Sequence, residues 1–335
     1  MKKTRKRVCL ALTFVLLCLT LMLPTEAATP KTVCIGGMPF GVRFKTAGVT
    51  VAELEDIDTS SGKACPAKEA GLAAGDVIVK VNGKEVTGAE DVIKRIAGGY
   101  GNALTVTYKR RGTEKETTLT PVRDSNGFYR AGMWIRDSAA GIGTVTYYDA
   151  KTGAFAGLGH GICDAETGEL IPLSHGVVTN VSLCGINKGT AGSPGELKGF
   201  FGETRIGEIS SNKRTGVYGT LHKLPYVKAE YVELAGKNEV KNGAVLVRCT
   251  VSDGEMHDYA AEISEVDVKS GECKNFVVTI TDAELLAKTG GIVQGMSGSP
   301  IIQNGKLIGA VTHVMVNDPT RGYGIFIENM LDAAG

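Results

Sequence analysis

The chain has 335 residues, of which 22% are charged and 43% are hydrophobic. This length leaves room for two compact domains at about 100 to 200 residues each, and the composition excludes a wholly disordered chain. Glycine is abundant, with 45 residues, whereas there are only 10 Tyr, 9 Phe and 1 Trp. Because glycine suits tight turns between short strands, the sequence predicts a mainly β fold.

The positive charge is concentrated at the N-terminus. Five of the 37 Lys and Arg residues lie within the first seven positions, and Glu26 is the only acidic residue before residue 28. Residues 28–335 therefore carry 32 positive against 35 negative charges. No basic face remains that could release counterions from a nucleic acid, so we exclude a nucleic-acid partner.

Residues 1–28 have the pattern of an export segment. The basic residues precede a run without charge, 8–23, and the small residues that follow resemble a signal-peptidase site after Ala27. As a helix, this run would span about 24 Å, which is less than a hydrocarbon core of about 30 Å. The pattern favours a cleaved signal peptide, with a short membrane anchor as the alternative. In both cases the rest of the chain is expected outside the cytoplasm.

Residues 36–121 predict a small α+β domain. Runs typical of strands occupy 77–81, 104–109 and 116–121, and residues 89–97 have a helical pattern. Residues 66–83 resemble the A-x-x-A-G-L-x-x-G-D-x-I-x-x-V-N-G signature of PDZ domains. The resemblance implies a groove that accepts a peptide or a C-terminal tail.

The same resemblance implies which residues form that groove. Phe40, Gly41 and Val42 correspond to the loop whose backbone N–H groups receive a carboxylate, and Val92 and Ile96 correspond to the helical wall. The order of these parts is similar to the circularly permuted PDZ domains of bacterial proteases. The alternative interpretation is that all five residues belong to the core.

A polar, turn-rich break at 123–127 precedes a second domain, residues 128–335. Short β-type runs dominate it, for example 143–148 and 275–281, whereas helical signals are confined to 282–288 and 328–334. This pattern is typical of a barrel or a sandwich.

The segment Gly295-Met296-Ser297-Gly298-Ser299-Pro300 resembles the G-D-S-G-G-P nucleophile loop of chymotrypsin-like serine peptidases. A glycine-flanked loop can expose the Ser297 hydroxyl while the N–H groups of Gly295 and Ser297 form an oxyanion hole. The resemblance implies a chymotrypsin-like double β-barrel. The alternative is a simple Gly-Ser turn.

A nucleophilic serine needs a base, and His160 is the strongest candidate among five histidines. It lies in the glycine-rich stretch Gly157–Gly161, ahead of Ser297, in the order expected when the base and the nucleophile come from successive barrels. His175 is the second choice. His313 is expected to be structural or to face the substrate.

Taken together, the export segment, the PDZ signature, the Gly-His-Gly-Ile-Cys-Asp and Gly-Met-Ser-Gly-Ser-Pro motifs and the tail 309–325 resemble the stage IV sporulation protein B peptidases. The resemblance implies a serine endopeptidase of sporulation signalling, located between the forespore and mother-cell membranes. Its implied partner is a membrane-bound regulatory complex, whose extracytoplasmic part it cleaves. That cleavage triggers intramembrane proteolysis and activates a late sigma factor.

The resemblance also implies that Asp282 orients His160. Asp282 lies 15 residues before Ser297, and it is also well suited to cap the helix predicted immediately after it. Asp164 is the alternative acid.

Two rival functions remain. A zinc site could use His160, Cys163, His175 and Cys184, although their spacing matches no recognised set of ligands. A non-enzymatic adaptor would use the PDZ domain alone. We predict neither a metal nor a cofactor. The six cysteines after residue 28 show no disulfide framework, and the sequence does not decide whether they pair.

Overall fold

The computed structural model describes residues 32–163, 168–171, 173–223, 229–252 and 254–335. The predicted export segment and Asp164 lie outside these ranges. Residues Thr32–Gly335 group into one compact unit. Within the described ranges, no helix has the length and apolar character needed to cross a bilayer.

Between residues 32 and 130, all of them described, the chain forms ten strands and two short helices. They are β1 (Thr32–Ile35), β2 (Pro39–Leu54), β3 (Ile57–Thr59), β4 (Gly62–Ala64), α1 (Pro66–Glu69), β5 (Val77–Val81), β6 (Lys84–Glu85), α2 (Ala89–Gly98), β7 (Leu104–Arg110), β8 (Thr113–Leu119), β9 (Val122–Arg123) and β10 (Tyr129–Arg130).

The second part is almost entirely β. It consists of β11 (Met133–Tyr148), β12 (Ala154–Gly157), β13 (Leu173–Asn187), β14 (Glu196–Lys213), β15 (Gly216–Leu221), β16 (Tyr231–Leu234), β17 (Gly243–Cys249), β18 (His257–Ser264), β19 (Phe276–Ile280), α3 (Ala283–Thr289), β20 (Pro300–Gln303), β21 (Lys306–Met315), β22 (Asp318–Phe326) and α4 (Ile327–Ala334). The mainly β prediction is confirmed, as are the two late helices.

The strand pairings close two six-stranded barrels. In the first barrel the strands follow one another in the order β2, β11, β12, β15, β14 and β13, and β13 returns to β2. In the second barrel the order is β17, β18, β19, β22, β21 and β20, and β20 returns to β17. When the six strands of each barrel are numbered 1 to 6 along the chain, neighbouring strands in both barrels follow the order 1-2-3-6-5-4. The repeated topology is the double β-barrel that the nucleophile-loop resemblance implied.

Each barrel has its own apolar core. Phe40, Phe44 and Val145 are buried at the centre of the first barrel, and Val247, Phe276 and Ile301 at the centre of the second. Residues on alternate positions of each strand face these cores, as period-2 strands require.

The PDZ-like domain is inserted into the first barrel between its first two strands. Strand β2 runs from the barrel into this domain, and β11 returns from it; the two strands pair from Pro39↔Thr144 to Leu54↔Met133. The domain's core contains Val49 and Ile78 together with Val92 of α2. The sequence predicts two consecutive domains, 36–121 and 128–335. The structure differs because residues 39–44 complete the first barrel before the inserted domain begins.

Candidate active site

The predicted nucleophile and base line one cavity between the two barrels. The cavity has a volume of about 420 Å³ and includes His160 and Ser297 in its wall. His160 follows β12 of the first barrel, and Ser297 precedes β20 of the second. The predicted base and nucleophile, which are 137 positions apart in the sequence, therefore line the same cavity.

The Ser297 loop is anchored to β11. The Thr144 backbone N–H donates to Ser297 O (2.9 Å), the Thr144 hydroxyl donates to Gly295 O (2.9 Å), and the Thr146 hydroxyl donates to Gly298 O (2.8 Å). Gly298 has φ +95°, and a Cβ at this position would lie 2.0 Å from Thr144 O. Only glycine fits so close to β11, which explains the glycine after the serine.

Two backbone N–H groups of this loop remain available. The N–H groups of Met296, Gly298 and Ser299 donate to carbonyl oxygens, whereas those of Gly295 and Ser297 donate to no acceptor within the described part of the chain. Unpaired donors beside a serine hydroxyl are what an oxyanion hole requires. The Ser297 hydroxyl itself donates to Thr312 O at 2.7 Å.

The tautomer of His160 follows from its neighbour. Its Nδ1 lies 2.9 Å from Gly161 O, and because a carbonyl can only accept, Nδ1 carries the proton. The unprotonated Nε2 is then free to accept a proton. Burial lowers the pKa of His160 below its ordinary value of 6.5, and the Gly161 carbonyl opposes this shift. His160 is therefore neutral, as a base must be, at neutral pH.

His313 stacks on His160, a contact that the sequence did not reveal. The ring centroids are 4.6 Å apart with 34° between the planes, and His313 lines the same cavity. Burial, followed by repulsion from His160 and Lys274, lowers the pKa of His313 to about 4. His313 Nδ1 is buried and has no hydrogen-bond partner among the described residues.

Asp282 lies elsewhere, at the start of α3. Its Oδ1 accepts from the N–H groups of Glu284 and Leu285, both at 3.0 Å, and its Oδ2 accepts from Ala260 N at 3.3 Å. No contact joins Asp282 to His160 in the ranges that the structure covers. The orienting role implied by the resemblance is thus not present in this geometry, because the carboxylate is used as a helix cap. His160 Nδ1 is directed instead at the Gly161 carbonyl.

The rival zinc site receives no support from the residues described. No group of three or more His, Cys, Asp or Glu side chains there has a metal-binding arrangement. The structure places His175 on β13 but does not describe its side chain. None of the six described cysteines forms a disulfide.

The prediction that Phe40, Gly41 and Val42 form the peptide-binding loop of the PDZ-like domain is wrong. Gly41 pairs with Ile142 of β11 on one side and with Thr179 of β13 on the other, so its strand is interior to the first barrel. Phe40 and Val42 are buried in the barrel core. A central strand has no free row of N–H groups with which to capture a carboxylate.

A groove does lie beside α2, formed with the start of β11. Its volume is about 450 Å³, and its lining combines the apolar Ile93, Ile96 and Trp134 with the charged Glu55 and Arg130. Ile93 is 58% exposed and Trp134 is 61% exposed. The N–H groups of Ala131 and Gly132, in the loop before β11, have no acceptor among the described residues. Of the two predicted wall residues, Ile96 lines this groove, whereas Val92 is fully buried in the domain core.

A family model described as SpoIVB peptidase S55 matches residues 127–331, which is more than half of the chain. The chain belongs to the SpoIVB peptidase S55 family. A second model, described as PDZ domain, matches residues 57–110 and confirms that domain. The family supports a serine peptidase that carries a PDZ domain.

Curated relatives are similar over short stretches only. Two proteins named "Putative zinc metalloprotease" are 33% identical over 97 residues (Lactococcus lactis) and 34% identical over 88 residues (Clostridium acetobutylicum). A "Probable CtpA-like serine protease" of Staphylococcus saprophyticus is 38% identical over 63 residues. The matches cover 29%, 26% and 18% of this chain, and 21%, 23% and 13% of the relatives. This chain thus spans less than a quarter of the length of these relatives.

Among solved structures, the PDZ domain of an SdrC-like protein from Listeria monocytogenes is 22% identical. The match covers 27% of this chain and 87% of that one, with a TM-score of 0.23.

Proposed function

We propose that this SpoIVB-family chain is a serine endopeptidase in which Ser297 is the nucleophile and His160 is the general base. The observation that carries the proposal is the shared cavity between the barrels, which joins the Ser297 hydroxyl, the neutral His160 ring and two unpaired N–H groups. These are the parts that acyl transfer needs.

In the proposed reaction, the Ser297 hydroxyl first turns from Thr312 O toward Nε2 of His160. Oγ attacks the carbonyl carbon of the scissile bond while Nε2 takes the hydroxyl proton, and the N–H groups of Gly295 and Ser297 bind the resulting oxyanion. The C–N bond then breaks, and Nε2 gives its proton to the leaving amine. Water, deprotonated by His160, then attacks the acyl carbon. The ester C–O bond breaks, and Nε2 returns the proton to Oγ of Ser297.

The Gly161 carbonyl positions the base in this scheme. Its hydrogen bond from Nδ1 fixes the tautomer and the ring orientation, the two tasks that a carboxylate performs in a Ser-His-Asp triad. A carbonyl carries no full negative charge, so it stabilises the imidazolium less than a carboxylate would. The stacked ring of His313 further restricts the motion of His160.

We further propose that the substrate is the extracytoplasmic part of a membrane-bound regulatory complex in sporulation signalling, whose cleavage triggers intramembrane proteolysis and late sigma-factor activation. The family assignment and the export pattern of residues 1–28 support this role. The same pattern supports a location outside the cytoplasm, with the chain tethered or released. The family resemblance supports the forespore side of the intermembrane space.

The groove beside α2 supports a second activity, the binding of a peptide or C-terminal tail by the PDZ domain. Its apolar wall would hold side chains, and the N–H groups of Ala131 and Gly132 would receive a terminal carboxylate. A tail peptide ending in an apolar residue should lose affinity at least tenfold when its terminus is amidated. Equal binding of the amidated peptide would contradict carboxylate capture.

The peptidase proposal is tested by hydrolysis of denatured protein substrates. We expect Ser297→Ala and His160→Ala each to abolish cleavage, and the double variant to be no worse than either, because the residues act as a unit. Circular dichroism confirms that each variant is folded. Cleavage by folded Ser297→Ala at the wild-type rate would refute the proposal.

A further inference from the structure

The catalytic cavity has a wall in the first barrel that the proposed chemistry does not use. Val42, Phe44, Leu158 and Ile162 form its apolar surface. None of the described residues that line the cavity is Asp, Glu, Lys or Arg. A charged side chain would be desolvated there without a counterion, so the wall suits an apolar occupant.

Gly141 lies at the exposed edge of this wall. It lies directly opposite Val42 in the β2–β11 ladder, so both positions face the same side of the sheet. Two residues farther along the same face, a Cβ on Gly143 would lie 2.0 Å from the Leu158 side chain. A Cβ on Gly141, in contrast, would meet no atom within 4 Å. Gly141 is itself exposed, so the missing side chain leaves open space at the solvent-facing edge of the cavity, a recess that a substrate side chain can enter.

The chemistry indicates which part of a substrate this recess faces. The acyl group becomes bonded to Ser297, and the N–H of Gly295 binds its oxygen. Ser297 and Gly295 both lie in the loop before β20 of the second barrel. The leaving amine receives its proton from His160, which the first barrel supplies. The residue that follows the scissile bond therefore lies on the first-barrel side, where Gly141 is.

We propose that the recess at Gly141 is a specificity pocket that accepts an aliphatic or aromatic side chain from the residue following the scissile bond. This inference rests on the proposed peptidase function and names its substrate class: protein segments cleaved before an apolar residue. Substituting Gly141 should narrow the pocket without disturbing the chain's own packing, because the space is open and the residue has an ordinary φ.

The experiment is digestion of a proteome-derived peptide library, with the new termini identified by mass spectrometry. Wild-type protein should produce new N-termini enriched in Leu, Ile, Val, Phe or Met. Gly141→Val should reduce kcat/KM for peptides with these residues by about tenfold or more, since one or two methylene groups in an apolar pocket have effects of this size. Cleavage before Ala, Gly or Ser should persist, and Gly141→Ala should be intermediate.

Gly185→Val is the matched control, because Gly185 is also a strand glycine with open space at Cβ and does not line the cavity. It should reproduce the wild-type profile. The rate of Ser297 labelling by a small fluorophosphonate, which has no leaving peptide, should be the same in Gly141→Val and wild type. This shows that the variant is folded and its machinery intact.

The possible results distinguish failure of the specificity pocket from failure of the peptidase function. If cleavage depends on Ser297 but shows no apolar preference after the cut, or if Gly141→Val leaves that preference unchanged, the specificity pocket is refuted and the peptidase stands. If Gly141→Val slows fluorophosphonate labelling as much as cleavage, the pocket assignment is also refuted, because the substitution then damages the machinery. If wild type and Ser297→Ala release the same termini, the peptidase proposal fails, and the pocket fails with it.

Discussion

Replacing Asp282 distinguishes a helix cap from a catalytic acid. In the structure, its carboxylate accepts two hydrogen bonds of 3.0 Å from the first turn of α3 and one of 3.3 Å from Ala260. Loss of such a cap costs about 1 kcal/mol, within a range of about 0.5 to 2 kcal/mol. We therefore expect Asp282→Ala to lower the free energy of unfolding by about 1 to 2 kcal/mol. Asp282→Asn should cost less, because an amide oxygen still caps the helix.

Turnover per folded molecule should remain within about twofold of wild type in both variants. An acid that orients the histidine of a triad behaves differently, since its replacement by Asn lowers kcat by about 10⁴-fold. The two expectations differ by more than three orders of magnitude. Urea unfolding measures the stability, and the rate of peptide hydrolysis per folded molecule without urea measures the turnover.

Asp149→Ala is the matched control for stability. Asp149 likewise accepts backbone N–H groups through Oδ1, from Lys151 at 2.7 Å and Thr152 at 3.0 Å, in a turn that does not line the cavity. Its loss should destabilise the protein by a similar amount and leave turnover unchanged. A 10³-fold or larger loss of turnover in folded Asp282→Asn would refute the cap assignment.

Three further predictions follow from the site. Activity should rise with pH, with a midpoint below 6.5, because the base must be neutral and burial lowers the pKa of His160. A profile of labelling rate against pH with its midpoint above 7 would contradict this. Gly298→Ala should reduce the rate of fluorophosphonate labelling by at least 100-fold, because its Cβ would lie 2.0 Å from Thr144 O. Gly305→Ala, which is also at positive φ (+77°) but in open space, should be labelled at the wild-type rate. Equal labelling rates in the two variants would show that the close approach to Thr144 is unimportant. The folded-state pKa of His313, about 4, is below its unfolded value near 6.5, so between these pH values the unfolded chain binds more protons and the protein loses stability as pH falls. His313→Gln should reduce this loss of stability by at most about 3 kcal/mol, and by less because the ring is partly exposed. Unfolding free energies of His313→Gln that match wild type from pH 7 to pH 4 would contradict this.

The sequence predicted the nucleophile loop and the base because both depend on local patterns. Ser297 lies between glycines that permit a tight turn, and His160 lies in a glycine-rich stretch directly after a strand. Strand and helix positions in the second barrel were predictable for the same reason, since alternation and turn residues are read within a few positions. The PDZ signature is also a contiguous motif.

Other features depend on pairings that no local pattern encodes. Residues 39–44 have an apolar pattern that fits equally a PDZ loop or a barrel strand, and only their pairing with β11 and β13 decides between the two. The insertion of the PDZ domain into the first barrel follows from that pairing. The recess at Gly141 similarly depends on the Val42↔Gly141 register and on the space beyond it.

Asp282 illustrates a further limit. An aspartate before a helical pattern predicts a cap, and an aspartate 15 residues before the nucleophile suggests a catalytic acid by resemblance. Both expectations concern the same carboxylate, and its hydrogen bonds to Glu284, Leu285 and Ala260 support only the first. The contact of His313 with His160 was also beyond prediction, because 153 positions separate the two rings.

The most direct test of the peptidase assignment is to map fluorophosphonate labelling of the folded protein by mass spectrometry. We predict a single modified residue, Ser297, and labelling that is abolished in Ser297→Ala and at least 100-fold slower in His160→Ala. Absence of label from Ser297 in folded wild-type protein, or an unchanged rate in His160→Ala, would contradict the assignment of this pair as nucleophile and base.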